Sequence, residues 1–226
     1  MSFFNFKDLA DSKKKNVIFT HIATGKTISF PGIISNFQDR YAVAWSSQQI
    51  FGRNDPVKPY QSTTRSLSFD LTILSDSLEN SIQNLESLQI FAQMMYPMYS
   101  KPLSGKGSSF GRTIKAPPLM RVRFVNMIKS ADGDGPLLCC IDGFNYSPSS
   151  EAGYFVAVNG DVFPKEVKLS LTMTPQHESV LGWDSETSEF ITDTFPYSVT
   201  TPELNEDDAS GENPSLESAS DDKLLS

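Results

Sequence analysis

Two stretches of this chain alternate apolar and polar residues without a break. Over residues 65–74, Leu67, Phe69, Leu71 and Ile73 alternate with Ser66, Ser68, Asp70 and Thr72. Over residues 165–174, Val167, Leu169, Leu171 and Met173 alternate with Glu166, Lys168, Ser170 and Thr172. Neighbouring strand residues point to opposite faces, so each stretch predicts a strand with one buried and one wetted face. Weaker strand patterns occupy 16–37, as a hairpin turning at Thr24-Gly25-Lys26, and 118–128, 137–145 and 154–158. Asp132-Gly133-Asp134-Gly135 supplies the turn between the second and third of these.

A different period runs between the two clear strands. Leu78, Ile82, Leu85, Leu88, Ala92 and Met95 recur at three- and four-residue steps, which predicts an amphipathic helix over about 76–96. Ser75, Asp76 and Ser77 offer its N-cap, Glu79 suits the dipole of the first turn, and Pro97 stops it. Residues 101–116 hold Gly105, Gly107 and Gly111 and predict a mobile loop. The expected fold is mainly β, in the α+β sense, with one flanking helix. The division is an N-terminal arm (1–15), a β domain (16–199) and an acidic flexible tail (200–226).

Charge changes this picture only at the tail. The 226 residues carry a net charge of -8, but residues 200–226 hold eight acids against Lys223 alone. The body keeps 18 bases and 19 acids, so the acidity describes the tail. Such a segment, without aromatics, buries too little apolar area to order itself. Phe3, Phe4 and Phe6 precede Lys13, Lys14 and Lys15, the reverse of an export signal. No apolar run reaches the ~18 residues of a membrane span. The two cysteines, Cys139 and Cys140, are adjacent and would face opposite ways on a strand, which speaks against a bridge and for a reducing compartment.

Candidate chemistry is sparse. Ala23-Thr24-Gly25-Lys26-Thr27 ends like a phosphate-binding loop but has Thr20 where the earlier glycine belongs. Asp132 and Asp134 lack the ligand series of a calcium loop, and His21 and His177 lie outside any nucleophile motif. We therefore expect no catalytic residue, no cofactor and no metal. The most unusual segment is 51–65, with Arg53, Asp55, Pro56, Tyr60, Thr64 and Arg65 just before the clearest strand. Rigid prolines, Tyr and Arg suit an interface with a partner; an internal Arg–Asp pair that fixes the loop explains the same residues.

The order of several motifs resembles a known family. Phe30-Pro31 and the aromatic stretch to Trp45 come first, then Gly52-Arg53-x-Asp55-Pro56 and Tyr60-Gln61-x-Thr63-Thr64-Arg65. Tyr96-Pro97-x-Tyr99, Pro117-Pro118-Leu119 and Phe163-Pro164-Lys165-Glu166-Val167 follow. Across roughly residues 16–183 this resembles the baseplate tube proteins of contractile-tailed phages, which cap the baseplate hub and start the tail tube.

The resemblance implies a β-sandwich or barrel-like subunit, a homo-oligomeric ring of about six copies, and a place in the virion after synthesis in the host cytoplasm. It implies contact with neighbouring tail-tube and baseplate hub proteins and the tape-measure protein, with DNA only in transit and no membrane. Interface candidates are then Arg53, Asp55, Pro56, Tyr60, Thr64, Arg65, Tyr96 and Tyr99. A tube lumen should hold few cations, which would grip passing phosphates. The lumen-face candidates are Ser66, Ser68, Asp70, Thr72, Glu166, Lys168, Ser170 and Thr172. Two other classes compete: a baseplate-associated enzyme that degrades or binds cell wall, and an acidic adaptor or DNA mimic acting through its tail.

Overall fold

The computed structural model describes residues 16–100, 113–133, 135–192 and 195–197. The arm 1–15, most of the glycine-rich loop and the acidic tail 200–226 lie outside the described residues, so the expectations about them stay with the sequence. The described chain is mainly β with one helix. Its strands are β1 (Asn16–His21), β2 (Thr27–Pro31), β3 (Ile33–Trp45), β4 (Tyr60–Leu74), β5 (Met98–Tyr99) and β6 (Ile114–Ala116). They continue with β7 (Leu119–Arg123), β8 (Leu137–Pro148), β9 (Tyr154–Val156), β10 (Val162–Pro164) and β11 (Glu166–Pro175). The helix, α1, spans Leu78–Met94.

Seven strands form one sheet in the order β2-β1-β7-β8-β11-β4-β3, antiparallel throughout. Laid flat, its outer strands would stand about 29 Å apart, six gaps of ~4.8 Å. Yet these two strands, β2 and β3, are joined by the single residue Gly32. One residue spans only a few ångströms, so the sheet must curl until its edges meet there. Gly32 is needed at that seam: a Cβ would lie 2.6 Å from Leu71 Cδ1 and 2.9 Å from the Thr72 carbonyl oxygen.

The two alternating stretches form strands as predicted, and they pair with each other, with Leu169 opposite Leu71 and Leu171 opposite Phe69. Their apolar faces join Val17, Phe19, Phe30, Met120, Val122 and Cys139 in one core inside the curl. Cys139 is buried, which pushes its thiol up to about 12, while Cys140 points the other way and is half-buried.

Helix α1 runs where the spacing predicts but turns a different face inward. Its buried residues are Ser81, Asn84, Leu88, Phe91 and Met94. Of the predicted stripe only Leu88 is fully buried; Leu78, Ile82, Leu85, Ala92 and Met95 are half-buried flanks. Hydrogen bonds explain the rotation. The Ser81 hydroxyl donates to the Pro164 carbonyl at 2.7 Å, and Asn84 donates to the Ser75 hydroxyl at 3.0 Å. Partnered polar groups cost little to bury. Phe91 then reaches Phe19, Phe30 and Phe144, with ring centroids 4.8, 5.9 and 5.1 Å away. Ser77 caps the helix by accepting from the Asn80 amide.

Three boundaries differ most from the pattern, and the second strand of the hairpin expected over 16–37 is broken at Gly32 into β2 and the start of β3. Strand β7 ends at Arg123, five residues early, because Val125 takes a positive φ in the turn that bridges Phe124 to Ile128. Ile114–Ala116, expected within a loop, pairs with β5. The third difference, a pair of strands far longer than predicted, defines the site.

Candidate functional site

Strand β4 begins at Tyr60, five residues before its alternating stretch, and pairs along its length with β3. The outer part joins Tyr41 to Arg65, Ala42 to Thr64, Val43 to Thr63, Ala44 to Ser62 and Trp45 to Tyr60. Every residue of 41–45 and 60–64 is exposed, although alternate residues face opposite ways. A ribbon bare on both faces has left the body of the domain. It is an arm, tipped by the loop 46–59, within which Gln48 bridges to Val57. Tyr41, Val43, Trp45, Ile50, Phe51 and Tyr60 are all exposed along it, Phe51 completely at 106%. Trp45 and Tyr60 pack edge to face with centroids 5.6 Å apart.

At the arm's root lies a buried ion pair. Arg65 donates from Nε to Asp39 Oδ1 at 2.9 Å and from its terminal nitrogen to Oδ2 at 2.7 Å. Both side chains are 3% exposed. The hydroxyls of Tyr197 (2.9 Å) and Tyr41 (3.1 Å) also donate to Oδ2. The rings of Tyr41 and Phe195 lie 5.5 and 5.3 Å from the guanidinium carbon. Burial alone would raise the Asp39 carboxyl, but the bonds and charge of Arg65, then the two hydroxyls, outweigh it and hold it below the ordinary range. Burial likewise opposes the Arg65 charge, and Asp39 more than restores it. Tyr41 is pushed up as well, its hydroxyl held protonated by burial.

The interface candidates therefore divide. Arg65 is buried and paired within the chain, with two of its nitrogens on Asp39 rather than on the loop aspartate and the third buried without a partner. Arg53 and Asp55 are exposed and Pro56 half-exposed on the tip loop; Tyr60 and Thr64 are exposed on the ribbon. Tyr96 and Tyr99 are exposed too, but on the segment after α1. Tyr96 lines a cleft of about 210 Å³ between the end of α1 and the β1–β2 turn. His21 lines it as well, buried and bonded through Nδ1 to the Thr24 hydroxyl at 2.9 Å. Asp39, Tyr41, Phe195 and Tyr197 were not singled out from the sequence, and His177 was weighed there only as a lone histidine. Tyr197 meets Asp39 across 158 positions, and no local pattern encodes such a meeting.

All eight lumen-face candidates share one surface. Lys168 stands opposite Thr72, Ser170 opposite Asp70 and Thr172 opposite Ser68. On the flanks, β8 adds Ser147 and Asn145, while β3 adds Ser35 and Gln38. It also adds Arg40, opposite Ser66, so that the belt holds a second cation in addition to Lys168. Hydrogen bonds from Ser170 and Asn36 lower the Asp70 carboxyl, so it stays charged. This belt is four strands wide and mostly hydroxyl and amide.

Among the described residues no group of three His, Cys, Asp or Glu side chains is placed to hold a metal, and no helix is long and apolar enough to cross a membrane. No family model matches the sequence, and no curated protein matches it. Among solved structures the chain is similar to one described as the tail of an empty GTA particle with C6 symmetry. The two share 11% identity over 76% of this chain and 97% of that one, at a TM-score of 0.33. A likeness that weak carries no functional argument.

Proposed function

We propose that this chain is a structural, non-catalytic subunit of a phage tail, forming a ring at the junction of baseplate and tail tube that caps the hub and initiates the tube. The ordered motifs between residues 16 and 183 support the family, and the arm carries the mechanism. A two-stranded ribbon alone is marginal in water and needs a surface to lie on. This one shows large apolar side chains that its own subunit leaves uncovered. In a closed ring each arm reaches a different patch on the next copy, the head-to-tail contact that generates rotational symmetry. Tail-tube and hub proteins occupy the faces above and below.

The test is the full chain carrying Trp45→Glu and Phe51→Glu. Both residues are exposed, so we expect the melting temperature to move by no more than about 2 °C. Incorporation into tails should fall at least tenfold from about six copies per particle. Normal copy number in particles would remove the arm from assembly.

In this reading the polar belt lines the lumen. Its hydroxyls and amides let DNA slide, with Arg40 and Lys168 set against Asp70 and Glu166. Ser68→Arg with Ser170→Arg should leave assembly intact and slow DNA ejection, more so at low salt, because added cations bind phosphate. Ejection unchanged from intact tails would mean that the belt faces elsewhere.

A further inference from the structure

The root of the arm is covered by a piece of chain from far away. Phe195 stacks on Phe190 (5.8 Å), meets Tyr41 edge to face (6.2 Å) and lies against the Arg65 guanidinium. Two residues on, Tyr197 donates to Asp39. Phe195 also closes over His177, with ring centroids 5.5 Å apart and planes at 81°. Both nitrogens of that imidazole are shut off from water and have no hydrogen-bond partner.

A neutral imidazole leaves one N–H and one lone pair unpartnered there, but carries no charge, and its ring packs against Phe195. An imidazolium fares worse: it would carry two N–H donors with no acceptor and a full charge with no solvent. The charged groups that act on it are Arg65 on β4, Asp39 on β3 and Asp132 before β8. The carboxylates of Asp39 and Asp132 favour protonation, but Asp39 is engaged by Arg65 and two hydroxyls. Burial, then Arg65, prevail and lower the affinity of His177 for a proton.

We propose that Phe195-Pro196-Tyr197 is a releasable clasp over the arm root, closed while His177 is neutral and opened when His177 takes up a proton. Opening frees the Tyr41 ring and one face of the Arg65–Asp39 pair beside the exposed ribbon. The clasp stands on these contacts alone; only its consequence, that a clasped subunit assembles less readily, rests on the arm being the assembling element. The direction in pH follows. The closed state binds the proton less well than a free histidine, so its stability is complete above the ordinary value of 6.5 and declines as pH falls below it.

The experiment is an NMR titration of the full chain from about pH 8 to about pH 5, following the His177, Phe195 and Tyr197 rings. The Phe195 and Tyr197 signals should move to free-chain positions together with His177 protonation, below about 6.5. Tyr197→Phe removes a bond to a charged acceptor and should raise the open population about tenfold or more, bringing His177 closer to its ordinary titration. His177→Phe should keep the rings in place throughout. If His177 titrates while the Phe195 and Tyr197 rings stay fixed, or His177→Phe opens over the same range, the clasp is wrong. Sedimentation velocity of Tyr197→Phe separates the two readings. Faster assembly supports the consequence; an open clasp with unchanged assembly overturns the consequence and leaves the clasp standing.

Discussion

Asp39→Ala is expected to cost about 3–5 kcal/mol of folding stability, because it strands a buried guanidinium. In the folded chain Arg65 has two of its three nitrogens on Asp39 and the third buried without a partner. Two aromatic rings are its other neighbours, and they offer π faces but no strong acceptor. Removing Asp39 also deprives the Tyr41 and Tyr197 hydroxyls of their common acceptor. For a domain of this size the loss corresponds to roughly 6–20 °C in melting temperature.

Arg65→Met in the Asp39→Ala background should recover part of that loss, since it leaves no buried charge to desolvate, although the two hydroxyls still lack their acceptor. Urea unfolding of both single variants and the double measures the coupling. A cost for Asp39→Ala below about 1 kcal/mol would mean that the pair is incidental. The pH dependence gives a second readout. The folded carboxyl sits below its ordinary 3.8, so its contribution is present above that value and disappears as pH falls through the lower folded one. Asp39→Ala should therefore flatten the acid limb of the stability profile.

The same pair shows where sequence reasoning stops. Arg65 is conspicuous in the sequence, and an internal Arg–Asp pair explains it as well as an interface does. The nearest aspartate in the motif, Asp55, is the wrong one. The partner is fixed by register, one step off the Tyr41–Arg65 pairing, and register across β3 and β4 is not written in either strand. The alternating stretches were legible because each has one buried face. Residues 41–45 and 60–64 were not, because a ribbon bare on both faces has no reason to alternate. The belt was legible residue by residue within β4 and β11. Its continuity, and the addition of Arg40, depended on β3 lying beside β4 after a bulge at which Asn36 takes a positive φ.

Helix α1 offers the sharpest contest between pattern and packing. Its apolar spacing selects a stripe through Ile82, whereas the structure buries the seam through Ser81, Asn84, Leu88, Phe91 and Met94. The two facings predict opposite orders for two substitutions. Phe91 is fully buried and touches three phenylalanines on β1, β2 and β8. Phe91→Ala should cost about 3–5 kcal/mol, as the lost ring leaves a cavity its rigid neighbours cannot fill. Ile82 is half-buried and outside the core cluster, so Ile82→Ala should cost about 1 kcal/mol or less. Phe91→Leu should fall between the two, since it keeps most of the apolar volume and loses the edge-to-face contacts. Equilibrium unfolding of the three variants in one denaturant series decides the order. Ile82→Ala costing as much as Phe91→Ala would mean that the helix is turned by one residue, and with it Ser81 would lose its bond to Pro164 and the core its aromatic cluster.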